Sequence, residues 1–157
     1  MAGLTGVFFD TSVLVAGIID FGPSSQAALL LIDAVADGQI ERPMTAWHCC
    51  LELYSVTTRL PEEYRLEPEI ALRFLQEEIF ARFSVHGLPA QLREEFLVSA
   101  VGEGTMGGKI YDAHIAEIAR QAGARLVVTE NRRHFTPLLR HGIRVLVSAE
   151  LANEIRR

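Results

Sequence analysis

The fold class is decided by Gly6-Val7-Phe8-Phe9-Asp10 (GVFFD), in which three large apolar residues precede a carboxylate. A short apolar run bounded by turn residues is typical of a buried strand. A second run of this kind, Arg125–Thr129 (RLVVT), occurs late in the chain. Because long helical patterns separate the two runs, the strands must be joined by crossovers. The sequence therefore predicts a parallel sheet.

The predicted fold is of the α/β class, a three-layer α/β/α domain with a mostly parallel central sheet of four to five strands. No repeat or linker interrupts the chain, so residues 1–157 are expected to form a single domain. Weaker strands are predicted at Gln39–Arg42 (stopped by Pro43), Phe83–Val85 and Arg144–Val147. Helices are predicted from Ser24 or Ser25 to Ala36, over Trp47–Leu60, Pro68–Ala81, Ala90–Val101 and Ile110–Ala122, and at the end of the chain.

The composition excludes several classes of protein. The 157 residues are 49% hydrophobic and 22% charged, which excludes a disordered chain. The apolar runs are too short to span a bilayer, so no membrane partner is expected. The two cysteines, Cys49 and Cys50, are adjacent and unsuited to a structural disulfide, and no signal peptide is visible, so we expect a reduced, cytoplasmic protein. The net charge of −5 argues against nucleic acid, but carboxylates gathered around metal ions would inflate the acidic count.

Two aspartates occupy positions where the predicted fold places ligands. Asp10 follows the first strand directly, at the edge of a parallel sheet where ligands bind. Its alternative role is to cap the next turn or helix, aided by Thr11 and Ser12. Asp112 opens the helix Ile110–Ala122 on its apolar, core-facing stripe, where an unpaired carboxylate is costly to bury. The alternative is a favourable place in the first turn of a helix.

A third carboxylate, Glu52, lies within Trp47–Val56, a segment apolar enough to be predicted largely buried. Glutamate is seldom buried unless it is paired or binds a metal. The alternative is an exposed helical stripe formed by His48, Glu52, Ser55 and Arg59. If the three carboxylates converge, oxygen ligands of this kind select Mg²⁺ or Mn²⁺, which polarise a phosphate and activate water for in-line attack.

The loop after the late strand should reach the same edge of the sheet. It offers a hydroxyl, a neutral oxygen ligand and two phosphate-binding guanidinium groups, from Thr129, Asn131, Arg132 and Arg133. The alternative is a polar loop with a capping Asn131 and an anchoring Phe135, and this interpretation is preferred for Glu130 and His134. The other histidines show no ligand spacing with one another, so a zinc site is not expected.

Four stretches of the chain resemble, in family order, the motifs of PIN domains. They are Val7–Leu14 (the opening strand), Cys50–Val56 (the Glu-bearing helix), Gly108–Ala116 (the helix with the second Asp) and Leu126–Phe135 (the closing strand and loop). The length is similar to that of single-domain bacterial toxins of the VapC type. The resemblance implies a Mg²⁺- or Mn²⁺-dependent endoribonuclease with an RNA substrate. It also implies a homodimer, held inactive by a small antitoxin that carries a DNA-binding segment.

The resemblance assigns the acidic triad to Asp10, Glu52 and Asp112. Asn131 stands where many members of the family carry a fourth Asp, and Thr129 fits the hydroxyl that the family often has at that strand end. Because Asn brings no charge, we expect one metal ion, with a second bound weakly or only when RNA is present.

Other families fit less well. A haloacid-dehalogenase-like phosphatase needs a second Asp two residues after the first, where this chain has Ser12. A phosphorelay receiver needs paired acids near the first strand and a Lys after a late strand, and neither is present. The remaining alternatives are a small phosphohydrolase and a catalytically inactive PIN fold that binds RNA or a partner protein.

Overall fold

The computed structural model describes residues 3–157 and contains a central sheet of five strands that all run parallel. The strands lie in the order β3-β2-β1-β4-β5 across the sheet, and helices cover both of its faces. The α/β class, the three layers and the parallel sheet are therefore confirmed. The strands are β1 (Val7–Phe9), β2 (Met44–Ala46), β3 (Ser84–His86), β4 (Leu126–Val128) and β5 (Arg144–Leu146).

Seven α-helices connect and cover the strands in residues 3–157. They are α1 (Thr11–Ala16), α2 (Gln26–Ala36), α3 (Trp47–Thr57), α4 (Pro68–Phe74), α5 (Arg93–Gly102), α6 (Lys109–Gln121) and α7 (Ser148–Arg156). Segments of 3₁₀ helix span Pro23–Ser25, Ala90–Leu92 and Arg132–His141. The short helix α1 was not predicted, because six residues are too few to show a helical period.

The second strand is placed differently from the prediction. The strand predicted at Gln39–Arg42 is reduced to a single parallel bridge between Ile40 and Leu4, and β2 spans Met44–Ala46. Arg42 has a φ of 50°, in the left-handed region, so the chain turns there. Pro43 precedes the strand rather than stopping it, a position where its missing N–H costs no ladder bond. Its carbonyl accepts a hydrogen bond from the Ser84 N–H at 2.9 Å, which begins the pairing of β2 with β3.

Two predicted helices differ from the structure in their last turns. The helix predicted over Pro68–Ala81 continues beyond its second turn in π-helical form, over Leu75–Phe80. The helix predicted over Trp47–Leu60 ends at Thr57. The Thr57 hydroxyl donates to the Leu53 carbonyl at 2.8 Å, which satisfies one acceptor near the end of that helix.

The two central strands form the middle of the core. Every residue of β1 and β4 is buried, and the ring of Phe9 packs edge-to-face on Phe83 at a centroid distance of 5.1 Å. Cys49 and Cys50 are free thiols, and burial raises the pKa of Cys49 to about 12 and that of Cys50 to about 11. Both thiols are therefore protonated and unreactive at neutral pH. Within residues 3–157 no helix has the length and apolar character needed to cross a bilayer.

The loop before α2 is held by a buried serine. Ser25 was predicted as a possible helix cap, but its hydroxyl makes no capping bond to α2. It instead accepts a hydrogen bond from the Phe21 N–H and donates one to the Ile19 carbonyl, both at 3.1 Å. Ser25 is fully buried, whereas the neighbouring Ser24 is exposed.

We predict that Ser25→Ala destabilises the protein by about 1–3 kcal/mol, because two buried backbone groups lose their only side-chain partner. Thermal unfolding should then occur about 2–4 °C lower for each kcal/mol lost in a chain of this size. Ser24→Ala is the matched control and should change the midpoint little. Equal midpoints for the two variants would contradict the assignment of this role to Ser25.

Candidate active site

The candidate site lies at the carboxyl edge of the sheet. From β1 the chain proceeds to β2 and β3 on one side, whereas β4 and β5 lie on the other. The gap between the carboxyl ends of β1 and β4 is therefore the topological switch point, where ligands bind in open parallel sheets. Asp10 follows β1 and Thr129 follows β4 at this point. The Asp10 N–H donates to the Val128 carbonyl at 3.0 Å, which fixes the two strand ends side by side.

Asp10 is the buried carboxylate of the site. It is 4% exposed, and its Oδ2 accepts hydrogen bonds from the hydroxyls of Thr129 (2.8 Å) and Ser12 (2.9 Å). Burial raises the pKa of Asp10, and these two hydroxyl donors oppose the rise. Neither hydroxyl donates to Oδ1. One oxygen is thus used to fix the side chain, and the other lies outside these two bonds.

The same two hydroxyls also fix the loop after β4. The Glu130 N–H donates to Ser12 Oγ, and the Asn131 N–H donates to Thr129 Oγ1, both at 3.0 Å. Each hydroxyl therefore connects Asp10 to one backbone N–H of the loop. The sequence placed Thr129 near Asp10 but gave Ser12 only a possible capping role.

Glu52 lies on α3 and contacts Thr11, the residue that follows Asp10 in the chain. The Thr11 hydroxyl donates to Glu52 Oε1 at 3.2 Å, and His48 Nε2 lies 3.3 Å from the same oxygen. The Glu52 side chain is 41% exposed, so the expectation of a largely buried segment is wrong for this face of α3. Trp47 and Leu51 are more than half exposed on the same helix. Burial is still the main cause that raises the pKa of Glu52.

A histidine pair lies behind Glu52. His48 Nδ1 and His114 Nδ1 are 2.8 Å apart, so one of the two nitrogens donates a proton to the other. Burial lowers the pKa of His114, and the neighbouring His48 and Arg93 lower it further. The spacing of four residues between His48 and Glu52 is a sequence signal for their contact. The contact between His48 and His114 spans 66 residues and has no local signal.

Asp112 lies on the first turn of α6 and is held by a histidine of its own. His134 Nδ1 is 2.8 Å from Asp112 Oδ2, and the Asp112 side chain is 36% exposed. The predicted burial of Asp112 against the core is therefore wrong, because the side chain leans toward the 132–141 segment rather than into the sheet. The sequence analysis interpreted His134 as an ordinary loop residue, so its contact with Asp112 was not predicted.

The remaining predicted residues lie along the loop after β4. Asn131 and Arg133 are exposed, and Arg133 lies next to His134 on the wall of a cavity that includes Asp112. Arg132 points to α7, where its guanidinium pairs with Glu150. Glu130 accepts a hydrogen bond from the Ser148 N–H at 2.9 Å and so caps α7.

The three carboxylates repel one another. Asp112 raises the pKa of both Asp10 and Glu52, and Asp10 raises that of Glu52. Such repulsion favours a cation, and carboxylate oxygens are the donors that Mg²⁺ and Mn²⁺ prefer. Within residues 3–157, no three His, Cys, Asp or Glu side chains lie close enough to form a ready-made cluster. The oxygen donors are of the type that a hard divalent cation prefers, but Asp10, Glu52 and Asp112 would have to draw closer together to share one ion.

Comparison with known sequences identifies the family. Residues 6–133 match the model of the PIN domain. The chain is 30% identical over 129 residues to Ribonuclease VapC40 of Mycobacterium tuberculosis, an alignment that covers 78% of this chain and 85% of the relative. It is 35% identical over 103 residues to Ribonuclease VapC27 of the same organism, which covers 65% of this chain and 72% of that one.

Comparison with solved structures agrees on the fold. FitAB bound to an IR36 DNA fragment superimposes with a TM-score of 0.60 at 12% identity, covering 90% of this chain and 94% of that one. Mycobacterium tuberculosis VapC20, described as a sarcin-ricin loop cleaving toxin, gives 0.58 at 17% identity, covering 77% and 86%. FitAcB from Neisseria gonorrhoeae gives 0.59 at 15% identity, covering 91% and 98%. With its parallel sheet, its carboxylates at the switch point and a family match over most of its length, this chain belongs to the PIN-domain family.

Proposed function

We propose that this protein is a cytoplasmic endoribonuclease that hydrolyses RNA phosphodiester bonds with a divalent cation, and that it is the toxin of a bacterial type II toxin–antitoxin pair. The ribonuclease names of relatives that align with most of the chain support the reaction class. The observation that carries the site assignment is the buried Asp10 at the switch point of the sheet, which the Ser12 and Thr129 hydroxyls hold through one of its two oxygens.

In the proposed site Asp10, Glu52 and Asp112 hold Mg²⁺ or Mn²⁺. A divalent cation bound there supplies Lewis-acid chemistry: it neutralises charge on the scissile phosphate and lowers the pKa of water. Asp10 is oriented for this role by the hydroxyls of Ser12 and Thr129. We expect one cation as the minimum, because Asn131 contributes oxygen without charge at the fourth position.

The histidines position the two more exposed carboxylates. His48 holds Glu52 and His134 holds Asp112, so each side chain keeps an orientation at the site although more than a third of it is exposed. A neutral imidazole that donates to a carboxylate leaves the other carboxylate oxygen available for a ligand. Arg133 lies on the same cavity wall as Asp112 and His134 and is assigned to the RNA backbone.

The proposed partners need surfaces on which to dock. Five apolar side chains on α3 and α5 are more than half exposed: Trp47, Leu51, Leu97, Val98 and Val101. Trp47 and Leu51 are neighbours on one face of α3, and Val101 is a neighbour of Leu97 and Val98 on α5, because residues three or four apart share a helix face. Exposed apolar patches of this kind mark interaction sites in soluble proteins. We assign the α3 and α5 surfaces to a homodimer partner and to an antitoxin. A short reading frame for a DNA-binding peptide beside the gene is the expected genetic signature of that antitoxin.

We predict that Asp10→Asn and Asp112→Asn each lower RNA cleavage by more than about a hundredfold, because each removes a charged oxygen ligand while its shape is kept. Cleavage of RNA by the purified protein is measured with Mg²⁺, with Mn²⁺ and with a chelator. Asp33→Asn, the same change at an exposed aspartate of α2 outside the site, is the matched control and should cleave normally. Cleavage that persists in chelator or in both Asn variants would overturn the proposal. A folded wild-type protein that cuts no RNA would favour an inactive PIN fold.

We predict that Asp10→Asn stabilises the metal-free protein at neutral pH. The pKa of Asp10 in the native state lies above its ordinary value of 3.8. In the pH window between these two pKa values, the native state therefore binds more protons than the unfolded state. The stability of the wild type therefore falls as the pH rises through the window, and the loss persists above it. Asn carries no charge and avoids this loss, so the advantage of the variant should vanish below pH 3.8.

Urea unfolding in chelator across this pH range measures the effect, with the exposed Asp33→Asn on α2 as control. Adding Mg²⁺ should stabilise the wild type more than Asp10→Asn, because a bound ligand stabilises only the state that binds it. A variant that is less stable than the wild type at every pH would show that the buried charge is already compensated without a cation.

A further inference from the structure

A cavity of about 700 Å³ opens beside the candidate active site. It lies between α5, α6 and the 132–141 segment, and both Asp112 and His134 contribute to its wall. Its volume is in the range of sites that enclose small organic ligands. Apolar side chains contribute a second part of the lining, from Leu92, Phe96, Ala100, Ala113, Ala116 and Leu138. The cavity thus joins an apolar surface to one of the carboxylates assigned to catalysis.

Four Lys or Arg side chains line this cavity, and two of them, Lys109 and Arg133, have no acidic partner among the described residues. Arg120 pairs with Glu117 at 3.0 Å, and Arg140 pairs with Glu103 at 2.6 Å. In the part of the chain that the structure describes, Lys109 takes part in no ion pair.

The same is true of Arg133 within residues 3–157. Lys109 precedes Asp112 by three residues, one turn of α6, and Arg133 adjoins the His134 that contacts Asp112. Two uncompensated cations therefore flank the catalytic end of the cavity. This pattern suits an anionic ligand that continues from the active site.

We propose that this cavity binds one unpaired nucleotide of the RNA strand adjacent to the scissile phosphate, with Lys109 and Arg133 contacting the flanking phosphates. This inference rests on the proposed ribonuclease function. The apolar lining suits the face of a base, and the two cations suit the backbone that enters and leaves. Four carboxylates line the cavity: Asp112 contacts His134, and Glu103 and Glu117 pair with Arg140 and Arg120. The fourth, Glu95, is exposed on α5, has no cationic partner among the described residues, and opposes this polarity.

The cavity favours an unpaired nucleotide over one held in a duplex. A base in an A-form helix is stacked and paired, and only its edges and the backbone face outward. To place its face against the apolar part of the cavity wall, a base must leave the stack, which costs least in a loop or a single strand. The expected ligand is thus a single-stranded or loop segment whose backbone passes Lys109 and Arg133.

The test measures binding separately from cleavage. The full chain carrying Asp10→Asn is expected not to cleave. This variant is titrated into a fluorescent single-stranded RNA in a buffer that contains Mg²⁺, and the fluorescence anisotropy is measured at several salt concentrations. Lys109→Gln combined with Arg133→Gln should weaken binding about tenfold. It should also reduce the slope of log affinity against log salt by about 1.4, or about 0.7 for each lost phosphate contact.

Three further variants complete the design. Arg125→Gln removes an exposed cation from the opposite, amino edge of β4 and should leave both affinity and salt slope unchanged. Arg132→Gln removes the neighbouring guanidinium that pairs with Glu150 and should have a smaller effect than Arg133→Gln. Glu95→Gln removes the opposing carboxylate and should strengthen binding.

The outcomes separate the two proposals. Equal binding by Lys109→Gln/Arg133→Gln and Arg125→Gln would overturn the cavity assignment, as would equal binding of duplex RNA or no binding at all. None of these results touches the proposed reaction, which wild-type cleavage tests by itself. A wild type that cuts no RNA, while the double variant still loses binding, would overturn the ribonuclease proposal and leave the cavity as an RNA-binding site.

Discussion

Two hydroxyls donate to the same oxygen of Asp10, one from Ser12 in α1 and one from Thr129 at the end of β4. The carboxylate they hold is buried at the switch point of the sheet, where desolvation disfavours its charge. The same hydroxyls accept the N–H groups of Glu130 and Asn131. The position of the whole loop that carries Asn131 and Arg133 therefore depends on how this one carboxylate is held.

The other two carboxylates are arranged differently. Glu52 and Asp112 belong to helices that follow β2 and precede β4, and each is more than a third exposed and contacts one histidine. The candidate site thus combines one buried carboxylate held by two hydroxyls with two more exposed carboxylates, each of which contacts a histidine.

Much of the fold could be predicted from the sequence because its signals are local. The apolar runs of β1 and β4, each followed by a polar residue, fixed the parallel sheet and the edge on which Asp10 and Thr129 lie. The second strand was misplaced because Pro43 was interpreted as the residue that ends this strand, whereas it directly precedes β2. The predicted burial of Asp112 was wrong because an apolar stripe identifies one face of a helix but does not give the direction in which a side chain of the first turn leans.

The contacts that sequence reasoning missed are those between distant parts of the chain. His134 meets Asp112, and His48 meets His114, only because α3, α6 and the loop after β4 pack around one edge. Periodicity within a segment carries no information about such pairs. The cavity beside Asp112 is of the same kind, since its walls come from three separate segments.

Each strand of the sheet has only three residues, including the edge strands β3 and β5. An edge this short offers few backbone donors and acceptors to another chain, so extension of the sheet by an incoming strand gains little. Any association of this protein with itself or with another protein would therefore use side chains on the helices. The specificity of such assembly would be determined by surface side chains of the helices, which can change without disturbing the backbone pairing of the sheet.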